Sequence, residues 1–159
     1  MFSTIIWATD GSPSADCALQ YAKSLATEHG GALVVFHCVE TFPAHHAAGL
    51  PVHAGEEETK SKIKRQVAEL EEEGLDVSAR FVTGAGQRPA HAIADAAREL
   101  GADVIVTGTR GHTAIGGLVV GSVTHRLLHI SPCPVLAVPT IPRAAASEPE
   151  AALAAAEAG

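Results

Sequence analysis

The chain has 159 residues, a length that fits one domain of the usual roughly 100–200 residues. With 18 acidic against 11 basic side chains and a formal net charge of −7, it is a poor match to proteins that hold nucleic acid or a membrane surface through a general positive field. Hydrophobic residues reach 47% while aromatics stop at 4%, so alanine, valine and leucine must fill the core.

The opening MFSTIIWATDGS carries neither a basic leader region nor a long apolar stretch, so no secretory signal is expected. No uncharged apolar run approaches the roughly 18 residues of a spanning helix. Cys17, Cys38 and Cys133 are odd in number and widely spaced, which suits reduced thiols and a cytoplasmic location better than a disulfide framework.

Ser3 to Thr9 reads as a short buried strand ending at Asp10-Gly11-Ser12-Pro13, with Ser12 as N-cap and Pro13 at the first position of a helix. Cys17, Ala18, Tyr21, Ala22, Leu25 and Ala26 recur at helical steps, which predicts that this helix is amphipathic and stopped by Gly30-Gly31. Ala32 to Val39 is apolar with almost no alternation, as in a strand covered on both faces. Residues 40 to 55 hold Pro43, Pro51, two glycines and three histidines and read as a long loop.

A helix is expected from about Glu56 to Glu73, with Ile63, Val67 and Leu70 inward and Gly74 closing it. Val77, Ala79 and Phe81 alternate with polar residues, which predicts a strand near an edge. Pro89 opens a third helix lined by Ile93, Ala94, Ala97 and Leu100, and Asp103 to Thr107 is a further buried strand ended by Gly108. Gly121 to Ile130 reads as a fourth helix and Val135 to Val138 as a last strand. From Pro142 the chain turns alanine- and glutamate-rich, so a domain over 1–140 and a flexible tail over 141–159 are expected.

Strict alternation of strand and helix implies an α/β fold, a doubly wound parallel sheet with helices on both faces. Ligands of such sheets sit beyond the carboxyl ends of strands where the strand order reverses. A central first strand beside the fourth would build that crevice from Asp10-Gly11-Ser12 and the loop after Thr107.

That loop, Gly108 to Ser122, leaves a buried strand, carries glycines at 108, 111, 116, 117 and 121, and enters a helix. Amides at a helix head lack internal partners and sit at the positive end of the dipole, so a phosphate there would be held by Ser122, Val123 and their neighbours. Arg110 and His112 would add charge-assisted contacts. The competing interpretation is a plain surface loop with Ser122 as N-cap. Gly108, Gly111, Gly121 and Ser122 fit G-x2-G-x9-G-[ST].

With IIWATDGS, VVFHCVE, DVIVTGTRG and GSVTHRLLHISPCPVLAV, this pattern resembles the ATP-binding branch of the universal stress protein family over about residues 2 to 139. The resemblance implies a single-domain, Rossmann-like fold of the adenine nucleotide alpha hydrolase type, five parallel strands in the order 3-2-1-4-5 with four helices. It implies ATP as ligand, with Mg2+ accompanying the nucleotide and Asp10 near the ribose or that metal. Ala8 and Thr9 would line the adenosine end with Asp10, and Cys38 would touch adenine. Thr107 and Gly108 would flank the ribose, while Arg110, Gly111, Gly121, Ser122, Val123 and Thr124 would surround the phosphates. A homodimer through the last strand is also implied. Trp7 and Cys38 depart from the family pattern, each standing where a smaller or aliphatic residue is the expectation.

Asp10 has a simpler reading as a turn former before glycine. No GK[ST] occurs and no lysine follows Lys64, so the charge a P-loop lysine supplies in phosphoryl transfer is missing from the loop. No catalytic residue is assigned. The reading is a stress-response regulatory protein that binds ATP without rapid turnover, with a slow ATPase or a cyclic-AMP-binding member as alternatives. A nucleotidyl transferase of the wider class would show SGGxDS where this chain has TDGSPS, and a flavodoxin-like carrier would want aromatics in loops beyond Phe81. His45, His46, His53 and His91 match no metal-ligand spacing. His125 and His129 share one helix face and suit a surface or a dimer contact.

Overall fold

The structure, a computed structural model, describes residues 1–41, 55–85, 88–111 and 120–140. The readings for the 42–54 loop with His45, His46 and His53, for His112 and the middle of the glycine-rich loop, and for the tail lie outside these residues.

The elements follow in strict alternation: β1 Thr4–Ala8, α1 Pro13–His29, β2 Ala32–Thr41, α2 Glu56–Glu72, β3 Val77–Ala85, α3 Pro89–Leu100, β4 Val104–Gly108, α4 Ser122–Ile130 and β5 Val135–Val138. The five strands are parallel and ordered β3-β2-β1-β4-β5, as the family resemblance implies. β1 therefore lies between β2 and β4, and the order of connection reverses beside it.

Period-two geometry divides the sheet residues between two cores. Ile5, Trp7, Leu33, Val35, Val104 and Val106 pack under α1 and α2, while Ile6, Ala8, Val34, Phe36 and Ile105 pack under α3 and α4. Helix α3 offers almost only alanine to the sheet, with Ala90, Ala94 and Ala97 buried beside Ile93, which lets its axis approach closely. Trp7 is fully buried, and its indole N–H donates to the Ala15 carbonyl at 3.0 Å. The bulk that looks out of place in a central strand thus becomes a hydrogen-bonded link to α1.

Two residues assigned to the inward face of α1 point elsewhere. Cys17 is exposed and Tyr21 is 54% exposed, because the buried stripe runs through Ser14, Ala15, Ala18, Leu19, Ala22 and Ala26. Close approach of α1 to the sheet selects small side chains, so the larger apolar residues at 17 and 21 do not mark the stripe. Strand β2 also continues two residues past the apolar run, in register with β3 from Leu33↔Val77 to Thr41↔Ala85. Backbone pairing, indifferent to side-chain polarity, carries it on.

Among the described residues no helix is long and apolar enough to cross a membrane.

Candidate functional site

Two turns meet at the carboxyl end of the sheet. In the first, after β1, Ser12 takes an extended conformation and its hydroxyl accepts the Ala15 amide at 3.3 Å. Pro13 then opens α1 at a position whose amide needs no partner. Asp10 Oδ1 accepts the Ser12 amide at 2.9 Å, and the Thr9 hydroxyl accepts the Gly11 amide at 3.1 Å. Gly11 takes φ +79°, a region open to glycine at little cost. Asp10 is thus the turn former that one reading expects, and it also lines the cleft.

The second turn, after β4, is built differently. The Gly121 amide donates to the Thr109 carbonyl at 2.6 Å, which pinches the neck of the glycine-rich loop. Gly121, and not Ser122, is the N-cap of α4, and no side chain caps the helix. The interpretation of Ser122 as a plain cap is therefore not what the fold shows. The amides of Ser122, Val123 and Thr124 occupy the first turn, where no intrahelical carbonyl reaches them. The first turn of α2 carries Glu56, Glu57 and Glu58, and α3 begins with Pro89. Helix α4 has neither an acidic residue nor a proline there. Its positive end is left for something outside the helix.

The glycines of this turn divide by what a side chain would meet. A Cβ on Gly108 would lie 2.5 Å from Ser14 Oγ and 2.7 Å from the Ser14 carbonyl, so β4 and α1 touch through it. A Cβ on Gly111 would lie 2.6 Å from Asp10 Oδ2. On Gly121 the nearest atom is the Thr109 oxygen at 3.4 Å, an ordinary contact. Among the described residues, contacts therefore explain glycine at 108 and 111 and do not explain it at 121.

Between the turns lies a cleft of about 410 Å³, within the range of small-molecule sites. All twelve residues that the family resemblance assigns to the nucleotide line it: Ala8, Thr9 and Asp10 at the end of β1, Cys38 on β2, Thr107 and Gly108 on β4, and Arg110, Gly111, Gly121, Ser122, Val123 and Thr124 around the second turn. Phe36, Pro89 and Ile93 add an apolar wall, and Glu56 and His37 a polar corner. The Thr124 hydroxyl is committed within the fold, donating to the Gly108 carbonyl at 2.8 Å. The Arg110 amide likewise donates to Ser14 Oγ at 3.2 Å.

His37 is the residue that sequence reasoning passed over as a mere neighbour of Cys38. It is 4% exposed; its Nδ1 donates to the Thr9 carbonyl at 2.8 Å, and its Nε2 lies 2.9 Å from Glu56 Oε1. Only Val39 and the buried strand pattern around it hinted that position 37 faces inward. Elsewhere, burial pushes the Cys133 thiol above its ordinary range, in line with an inert cysteine. His125 and His129 meet edge to face at 4.9 Å on α4, and no group of three metal-ligating side chains occurs among the described residues.

The model of the universal stress protein family matches residues 1–139. The chain belongs to that family. Among its relatives, a universal stress protein of Thermus aquaticus from the region 3′ of a QAH/OAS sulfhydrylase is 37% identical over 146 residues, covering 87% of this chain and 99% of the relative. The universal stress protein YxiE of Bacillus subtilis is 31% identical, covering 87% and 99%. The fold matches that of the universal stress protein UspA from Lactobacillus plantarum, with a TM-score of 0.71 at 22% identity over 86% of this chain and 97% of that one. A universal stress protein solved in complex with cAMP matches with a TM-score of 0.59 at 28% identity, over 87% and 98%.

Proposed function

We propose that this member of the family binds an adenine nucleotide, ATP by preference, in the cleft between the two turns, and does so without rapid turnover. The observation that carries this reading is Gly121 at the head of α4, a glycine that no contact among the described residues requires, next to three first-turn amides with no intrahelical partner. A phosphate placed there meets backbone donors and the positive dipole end together. The family relative solved with cAMP supports an adenine nucleotide as the ligand class. Cys38 is small and apolar enough to face an adenine ring, with Ile93 and Pro89 across the cleft.

Mg2+ would enter with the nucleotide, since it is commonly held by one or two carboxylates plus phosphate oxygens. Asp10, which lines the cleft along with Glu56, would share it. With no lysine after Lys64, the loop favours binding over phosphoryl transfer. Slow hydrolysis is the alternative. Occupancy would then act on partners or assembly. For assembly the candidate is β5, an edge strand on which Leu136 is 37% exposed, suited to pairing with a second copy. A Leu136→Lys variant is expected to shift the dimer to monomer in light scattering.

Calorimetric titration with ATP, ADP, AMP and cyclic AMP, with and without magnesium, tests the reading on wild type and Gly121→Val. ATP should bind the wild type and not the variant, whose branched side chain closes the approach to α4 while thermal stability is kept. Folded, ligand-free wild type that binds none of the four would overturn it.

A further inference from the structure

The peptide unit joining Gly11 to Ser12 is held at both ends. Its N–H, on Ser12, donates to Asp10 Oδ1 at 2.9 Å. Its carbonyl, on Gly11, accepts from Lys62 Nζ at 2.7 Å. A peptide is planar, so the lysine that fixes the carbonyl also fixes the direction of the N–H, and with it the Asp10 carboxylate. The hold has a purpose, because glycine at φ +79° lets this unit turn over more easily than any other residue would.

Helix α2 supplies the rest of the clamp. Lys62 Nζ also donates to Asp16 Oδ2 at 2.6 Å, and Gln66 Nε2 holds Asp16 Oδ1 at 3.0 Å. One turn earlier, Thr59 packs so closely that a Cβ on Gly11 would lie 2.7 Å from its methyl group. Lys62 is absent from the residues that line the cleft and works from behind the turn. A second pair, Lys23 with Glu73, also ties α1 to α2, but further along α1 and at the C-cap of α2.

We propose that Lys62 is a positioning residue for the nucleotide site, setting the Asp10 carboxylate through the Gly11–Ser12 peptide. The proposal rests on the nucleotide-binding reading for its effect on affinity and on the clamp alone for its effect on the turn. It assigns α2, which contributes only Glu56 to the cleft, a part in recognising the ligand.

The test compares Lys62→Met, Lys62→Arg and Lys23→Met in two measurements. In the ligand-free protein, exchange of the Ser12 amide followed by NMR should speed up by about tenfold in Lys62→Met, as a local opening becomes easier, and stay unchanged in Lys23→Met. In calorimetry, Lys62→Met should weaken Mg-ATP by about tenfold, the scale of one charge-assisted hydrogen bond. Lys62→Arg should recover most of that loss, and Lys23→Met should bind as wild type at a matched melting temperature. Unchanged Ser12 exchange in Lys62→Met, or equal loss of affinity in Lys23→Met, overturns the proposal. Wild type that binds no nucleotide overturns the functional reading instead, and the amide exchange still decides the clamp.

Discussion

The two turns that form the cleft stand at the same end of the same sheet and are finished in opposite ways. The β1–α1 turn is closed upon itself: Ser12 caps the helix, Asp10 and Thr9 satisfy the turn amides, and Lys62 holds the Gly11 carbonyl. The β4–α4 turn, among its described residues, leaves a helix without a side-chain cap and a glycine without a packing reason. Buried or constrained polar groups are normally paired within the fold. Where they are not, the missing partner is sought outside, and the contrast locates the ligand end of the cleft more sharply than the cleft's size does.

The contrast breaks most visibly at its glycines. Gly108→Ala forces a methyl group against the Ser14 backbone and should cost about 3 kcal/mol of stability, read by urea denaturation. Gly121→Ala should cost under about 1 kcal/mol, the scale of an N-cap change. Equal losses would erase the distinction between a structural and a ligand-facing glycine. Next in size is Trp7→Phe, which leaves the Ala15 carbonyl without its indole donor and a void beside it; about 2 kcal/mol is expected in the same assay.

The serines sharpen the comparison further. Ser12→Ala removes a working cap and should cost about 1 kcal/mol, while Ser122→Ala, with no capping bond to lose, should stay within about 0.5 kcal/mol. A cost at Ser122 matching that at Ser12 would mean that α4 is capped after all.

The smallest effect lies at the opposite end of the sheet. The Thr4 and Ser3 amides hold the Asp103 carboxyl below its ordinary value of 3.8. A depressed carboxylate contributes stability that is full above the unfolded value and is lost as pH falls through the folded one. Asp103→Asn should therefore flatten the acid limb of the stability profile below about pH 4 and leave nucleotide binding untouched, as melting curves across pH and a matched titration would show.

Element order and most boundaries were legible because each helix carries its own punctuation, as in Ser12-Pro13 before α1 and Gly30, at φ +61°, after it. The cleft residues of the second turn were legible because the glycine spacing is local in sequence, while Ala8, Thr9 and Cys38 came from the family resemblance. What escaped were the contacts between distant segments. Nothing near Lys62 announces a carbonyl 51 positions away, and His37 reads as part of an apolar run until Thr9 and Glu56 are seen on either side. Cys17 and Tyr21 were misplaced for a related reason. Periodicity names a stripe, but how closely a helix approaches the sheet decides which stripe is buried.

Trp7 gives the molecule a built-in optical reporter. It is the chain's single tryptophan, shielded from solvent, and its ring nitrogen is tied to the carbonyl of Ala15, a residue on the wall of the cleft. Its emission should sit at the short wavelengths of a dry environment. Any ligand that shifts the first turn of α1 would alter that signal in unlabelled protein, where no second indole competes with it.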